Sequence, residues 1–177
     1  MEIYDTYEKI FETKQENIDI EKTQEILAGA INSFIELINQ FPEEYREITL
    51  IGEWSLKDSL AHFSGWNQLT IDDIARTLRD EDSVWVDGDD EMNQFNADNV
   101  NERRFLSWEK VFGEFIEISQ NLVFAYKGIP SNDWNKSMRL NEFFPLFWSL
   151  LIDIKHYRID HLPEIQAKLV ELLNQEQ

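Results

Sequence analysis

The sequence predicts an all-α protein: four long helices packed as a bundle, preceded by a short N-terminal helix, in one domain over residues 1–177. Three observations carry this. Four stretches repeat apolar residues at i, i+3, i+4 and i+7 over lengths that strands do not reach. The connectors between them are modest, which sets successive long helices side by side. Glycine (6) and proline (4) are scarce, as long helices with few turns require.

Composition narrows the function. A chain that is 42% hydrophobic and 13% aromatic builds a packed core rather than a disordered coil, and its length suits one domain. The 16 Lys and Arg against 35 Asp and Glu leave a net charge of −19. Such a field repels nucleic acid and anionic membranes, so neither is an expected partner; it chiefly keeps the chain soluble. There is no cysteine, which removes disulfides, thiolate ligands and cysteine nucleophiles and fits a cytoplasmic protein. No apolar run reaches membrane-spanning length, and the acidic N-terminus does not read as a signal peptide.

In chain order, Ile3, Tyr7, Ile10 and Phe11 have helical spacing within residues 1–13 and predict the short N-terminal helix. Residues 14–19 read as a loop. The first long helix is expected over residues 20–41, with the stripe Leu27, Ala30, Ile31, Phe34, Ile38 and Phe41. Pro42 ends it, and residues 43–53 connect. The second long helix is expected over residues 56–79. Ser55 and Asp58 form a capping box at its start, and Leu56, Leu60, Phe63 and Trp66 share a face. Asp58 and His62 lie i,i+4 within that apolar surround, where their side chains can touch. Trp85, in the acidic loop that follows, is expected either to plug the end of the bundle or to line a pocket mouth. The third long helix starts near Met92, breaks around residues 105–107 and restarts from Ser107 as N-cap. It continues through Val111, Phe112, Phe115, Ile118, Leu122 and Phe124 to Gly128-Ile129-Pro130. Residues 131–141 connect, and the fourth helix is expected over residues 142–173, with a kink near residues 159–163 because Pro163 lies inside it.

Three stretches also carry a family likeness. Leu60-Ala61-His62-Phe63-Ser64-Gly65-Trp66, shortly after Trp54-Ser55-Leu56-Lys57-Asp58, resembles the second-helix signature of the DinB-like (YfiT-like) superfamily. His156-Tyr157-Arg158-Ile159-Asp160-His161-Leu162-Pro163-Glu164-Ile165 is similar to its fourth-helix signature. Phe95-Asn96-Ala97-Asp98-Asn99-Val100, followed by Leu106-Ser107-Trp108-Glu109, resembles the ClbS/DfsB branch. The resemblance implies a four-helix bundle with a long crossover, in many members a homodimer. In metal-binding members it implies a divalent zinc or nickel ion held by three histidines, one from the second helix and two from a His-x-x-x-His on the fourth. Some members are thiol-dependent transferases or isomerases and others hydrolases. One member of the ClbS/DfsB branch hydrolyses a reactive cyclopropane without a metal site of this kind.

His62 falls at the second-helix position. His156 and His161 depart from the pattern, being five residues apart rather than four. Five residues of regular helix turn by about 500°, which leaves the two side chains roughly 140° apart. Two pairings keep i,i+4 geometry: His156 with Asp160, or Tyr157 with His161. A π-bulge would bring His156 and His161 together instead, and Pro163 lowers its cost because it already deprives a carbonyl of its helical partner. The candidate metal ligands are therefore His62, His161 and either His156 or Asp160, around zinc or nickel. The competing expectation is a metal-free site, in which Asp58 and His62 act as a general-base pair or His62 is simply a core histidine. Trp54, Trp66, Trp134 and Trp148 either line an apolar pocket or fill the core, with core expected for at least two. The expected function is action on a small-molecule ligand, as hydrolase or transferase on an unidentified compound, toxic compounds among the candidates. The rivals are a non-catalytic binder that sequesters a ligand and a dimeric interaction protein with a degenerate metal site.

Overall fold

Why the chain becomes mostly helical is visible at its caps. In the computed structural model, which describes residues 2–84, 86 and 88–175, four helices begin at a side chain that accepts a backbone N–H of the first turn. Thr6 starts α1 (Tyr7–Glu12), Asp19 starts α2 (Ile20–Ile38), Ser55 starts α3 (Leu56–Leu78) and Ser107 starts α5 (Trp108–Lys127). Each satisfies a donor that the helix itself leaves unpaired. Between α3 and α5 lies α4 (Asp89–Arg103), a polar helix with Val100 as its buried residue. After α5 the chain forms the antiparallel pair β1 (Ser137–Arg139) and β2 (Glu142–Pro145). It then runs through α6 (Leu146–Lys155), a π-helical segment (His156–His161) and α7 (Leu162–Gln175).

The chain is mostly helical, as expected, with this hairpin as a small sheet beside the helices, and the hairpin corrects the expected start of the fourth helix at residue 142. Pro145 disfavours helical backbone at Phe144, so helix starts only at Leu146. Ser137 Oγ takes the Phe144 N–H at 2.8 Å, and Met138 and Phe144 are buried from the extended segment. The first long helix also stops at Ile38 rather than residue 41, although Phe41 is buried as expected. Phe124 is 79% exposed: α5 turns Phe115, Ser119, Leu122 and Tyr126 inward, and two residues beyond Leu122 points away from that stripe. The place expected for Trp85 lies outside the described residues. Among those residues no helix is long and apolar enough to cross a membrane.

One aromatic from each long segment meets at the centre of the core. Phe34 of α2 lies 4.6 Å from Phe63 of α3 and 5.7 Å from Phe115 of α5, and Tyr157 of the π segment stacks on Phe63 at 4.4 Å. All four are fully buried, so each long segment is anchored to the other three through one cluster. The Tyr157 hydroxyl is 2.7 Å from Asn67 Nδ2, which also donates to Ser119 Oγ at 3.1 Å. These bonds satisfy polar groups that would be costly if buried alone. Helix α4 packs across α3, α1 lies on α6, and the hairpin reaches α3. The loop after α3 is tied to the hairpin by Ser83 N–H donating to Met138 O at 3.0 Å and by Lys136 Nζ, 2.9 Å from Asp80.

Candidate metal centre

The site grows from the start of α3. Ser55 Oγ receives the Asp58 N–H at 3.1 Å, and the Asp58 carboxylate receives the Ser55 N–H at 2.9 Å and hydroxyl at 2.8 Å. This capping box corrects the expected general-base pair: the Asp58 carboxylate is engaged at the helix start and makes no hydrogen bond to His62. The partner of His62 is Asn96 of α4, whose Oδ1 lies 2.9 Å from His62 Nδ1 and 2.8 Å from Trp66 Nε1. Indole nitrogen only donates, so the Asn96 atom between them is an acceptor, and His62 Nδ1 must carry hydrogen to face it. That leaves His62 Nε2 unprotonated, with His156 Nε2 2.9 Å from it. A fixed Nδ1–H with a free Nε2 is how second partners orient a metal-binding histidine.

The π segment supplies the other two imidazoles. In an i→i+5 turn the fifth residue returns close to the face of the first, and the Leu162 N–H bonds to Tyr157 O in that register. His156 and His161 therefore lie with ring centroids 4.7 Å apart, and each is about as close to His62, at 5.0 and 5.1 Å. One nitrogen from each of His62, His156 and His161 lies within 4.8 Å of the others. The i,i+4 alternatives are not used. The Asp160 carboxylate binds Lys155 Nζ at 2.5 Å rather than joining the histidines, because the wider turn carries it round to that lysine. Tyr157 points into the core.

Three nitrogens this close suit a metal. Two imidazoles bound at about 2.0–2.1 Å place their nitrogens roughly 2.9–3.4 Å apart, depending on the angle at the ion. His62 Nε2 and His156 Nε2 are 2.9 Å apart. Burial lowers all three basicities. It pushes His62 down to about 3, helped by His161 and opposed by the bond to Asn96; His156 lies well below its ordinary value, with His62, His161 and Lys155 adding to burial. His161 is lowered by burial, with Asp160 opposing. Neutral imidazole is the form that ligates.

Two clefts reach this cluster. A cavity of about 670 Å³ has His62 and His156 in its wall, with Trp66 of α3, Phe11 of α1, Phe144 of β2 and Ile152 of α6 among the apolar lining. Its size falls in the range of small-molecule sites. A shallower cleft of about 490 Å³ reaches His161 past Trp54, and Asn93 and Asn96 of α4 border both. Of the four tryptophans considered, Trp66 and Trp54 thus face clefts. Trp134 is core, and Trp148 is half-buried against Phe11, Phe144 and Phe147.

Asn96 had no individual signal beyond its place in the Phe95–Val100 stretch. Asp73 and Asp153, both buried and both lining the larger cavity, were equally silent, since an acidic residue in an amphipathic helix ordinarily reads as part of its solvated face. No family model matches the chain, and no curated protein or solved structure does.

Helix α4 sits close enough to bond His62 because Gly65 lets it. A Cβ built on Gly65 would overlap the Asn99 amide. That amide is held by Phe95 O at 2.8 Å and by Arg103, 3.1 Å from Asn99 Oδ1. Gly65→Ala is expected to push α4 off α3, costing about 1–3 kcal/mol of stability and about 10–100-fold in metal affinity through the lost Asn96 support. Thermal melts and competitive zinc titration check both; unchanged values would show that Asn96 is not held by this contact.

Proposed function

We propose that the chain is a DinB-like four-helix bundle of the ClbS/DfsB type that binds zinc or nickel through His62, His156 and His161 and acts as a hydrolase or transferase on a small molecule held in the larger cavity. The observation that carries this reading is the meeting of three neutral imidazoles, with His62 and His156 in the wall of the larger cavity, His161 at the neighbouring cleft and the proton of His62 held on Nδ1 by Asn96. A divalent ion held by three imidazoles keeps coordination positions open and supplies Lewis acidity there. The chain's own residues do the rest. Asn96 holds the His62 tautomer, the aromatic and aliphatic lining excludes water from the ligand's apolar parts, and the buried carboxyl of Asp153 is raised to about 7 by its burial, a value suited to proton transfer near neutral pH.

A second reading rests on the 2.9 Å His62–His156 contact itself. With His156 Nε2–H donating to His62 Nε2, the pair is satisfied without metal, and the protein is a ligand-binding module. Metal content decides between them. Protein purified without a polyhistidine tag or chelator is expected to carry close to one equivalent of zinc or nickel by mass spectrometry. In His62→Ala, affinity is expected to fall more than about a hundredfold, since loss of a mere supporting partner already costs 10–100-fold. Substoichiometric metal that the substitution leaves unchanged overturns the metal reading.

A further inference from the structure

The wall of the larger cavity offers a ligand no charge to pair with. Among the described residues no lysine or arginine lines it. Cations on the elements around it are engaged elsewhere: Lys155 Nζ binds Asp160 at 2.5 Å, Arg139 binds Glu142 at 2.7 Å and Arg76 Nε donates to Asp82 O at 2.7 Å. An anionic group therefore meets no partner there. A cationic group fares no better, because the acids in the wall are engaged or solvated. Asp73 is 1% exposed; its Oδ1 accepts the Val84 N–H at 2.8 Å and its Oδ2 is buried within the protein. Asp153 is buried, and its Oδ2 accepts the Tyr126 hydroxyl at 2.7 Å. Asp89, in the first turn of α4, is exposed, and pairing with a solvated carboxylate adds little. His62 and His156 are held neutral by burial. Burial also raises the carboxyls of Asp73 and Asp153. These surroundings penalise charge on the protein's own groups, and the same physics applies to a ligand's.

What the wall does offer is rings. Tyr7 and Phe11 of α1, Trp66 of α3 and Phe144 of β2 line the cavity, with the thioethers of Met92 of α4 and Met138 of β1 beside them. The rings form two groups. Phe11 lies 6.1 Å from Tyr7 and meets Phe144 edge-on at 6.2 Å. Trp66 meets Phe95 of α4 edge-on at 4.8 Å and His156 at 6.5 Å. Tyr7 and Phe11 remain 48% and 45% exposed, so the protein itself leaves much of their ring surface uncovered. A flat ring in the cavity can meet such rings edge to face, an arrangement that aromatic pairs favour beyond simple burial. The unbranched methionines adapt to its outline and place sulfur against it.

We infer that the larger cavity selects ligands whose body is an uncharged aromatic group, any ionic group being confined to the histidine end. This rests on the larger cavity being the small-molecule site, and it narrows the substrate class of the proposed function to compounds with a neutral aromatic body.

The test is displacement of the fluorescent reporter N-phenyl-1-naphthylamine from the chelator-treated full chain. It is run at physiological ionic strength, where the field of surface charges reaches only about 8 Å. The competitors share one length: 4-phenyl-1-butanol, its cationic counterpart 4-phenylbutylamine, its anionic counterpart 4-phenylbutanoate and its saturated counterpart 4-cyclohexyl-1-butanol. The reporter is expected to bind, and the phenyl alcohol to displace it about tenfold or more better than the amine or the carboxylate. The phenyl alcohol is also expected to outdo the cyclohexyl alcohol by about threefold. The cyclohexyl compound is the more hydrophobic, so burial alone predicts the opposite order. Ile152→Trp, which fills the cavity from α6, is expected to weaken the reporter by more than about tenfold; Leu69→Trp on α3 serves should Ile152→Trp melt early. A charged probe that displaces as well as the phenyl alcohol, or a cyclohexyl alcohol that displaces better, overturns the proposal; if a Trp variant still blocks the reporter, the cavity stands as the small-molecule site. A reporter that does not bind, or that both Trp variants leave untouched, overturns the cavity reading and this proposal with it. With chelator-treated protein, none of these results depends on the metal reading.

Discussion

Phe63→Ala is expected to destabilise the protein by about 3–5 kcal/mol, the range for deleting a buried aromatic. It should lower the melting temperature by roughly 6–20 °C. The Phe63 ring is the point where core and site share a wall. On one side it packs on Phe34 at 4.6 Å and Tyr157 at 4.4 Å; on the other it backs His156 at 4.8 Å and His161 at 5.0 Å. Removing it opens a void that the four long segments cannot all close, since each is pinned to the same cluster. The imidazoles of the π segment then lose the surface that sets their rotamers, so metal affinity should fall together with stability. Phe124→Ala is the matched control. That ring is 79% exposed, and its loss should change stability by no more than about 0.5 kcal/mol. Chemical denaturation of both variants separates the outcomes. A Phe63→Ala loss below about 1 kcal/mol would mean that this cluster is not the core's anchor.

What could be read from the sequence follows the range of the interaction concerned. The α2 stripe, the capping box of Ser55 and Asp58, the break before Ser107 and the two helices around it are local patterns, and the structure shows them within a few residues. The hairpin escaped because Phe143 and Phe144 continue an apolar series leading into α6, while the constraint from Pro145 competes with that periodicity. Asp58 was assigned to His62 on i,i+4 proximity, yet its carboxylate has nearer donors at the helix start, and these win. The π turn was legible only as one of several alternatives. Five-residue spacing and Pro163 make it affordable, but only the packing of Tyr157 against Phe63 and Asn67 selects it over the Asp160 pairing. Asn96, Asp73 and Asp153 act through contacts far along the chain. Asn96 meets His62 across 34 positions and Tyr126 meets Asp153 across 27, and no local pattern encodes such pairs.

Removing Ile159 together with Pro163→Ala is expected to leave metal affinity within about tenfold of the native chain, whereas inserting one alanine after Ile159 should weaken it more than about a hundredfold. The reasoning is rotational. In the native chain the single extra residue between His156 and His161 is absorbed by the i→i+5 turn, which faces both imidazoles toward His62. Deleting Ile159, which is 40% exposed, makes the spacing four, and four residues of regular helix turn by about 400°, close to one face again. Pro163 must go as well, because in a regular helix it would stand in the interior, where it removes a backbone bond and clashes with the preceding turn at a cost of about 3 kcal/mol. The bond from Arg158 to the Tyr4 hydroxyl, at 2.6 Å, lies before the deletion and is kept. Asp160 then stands i,i+4 from Lys155, so their ion pair also remains within reach. The insertion makes the spacing six, which neither turn brings back to the His62 face. Competitive zinc titration of the two variants beside the native protein reads the difference directly. If the deletion loses metal as completely as the insertion, the π turn is not what presents these histidines, and His161 must reach the cluster by some other rearrangement of α7.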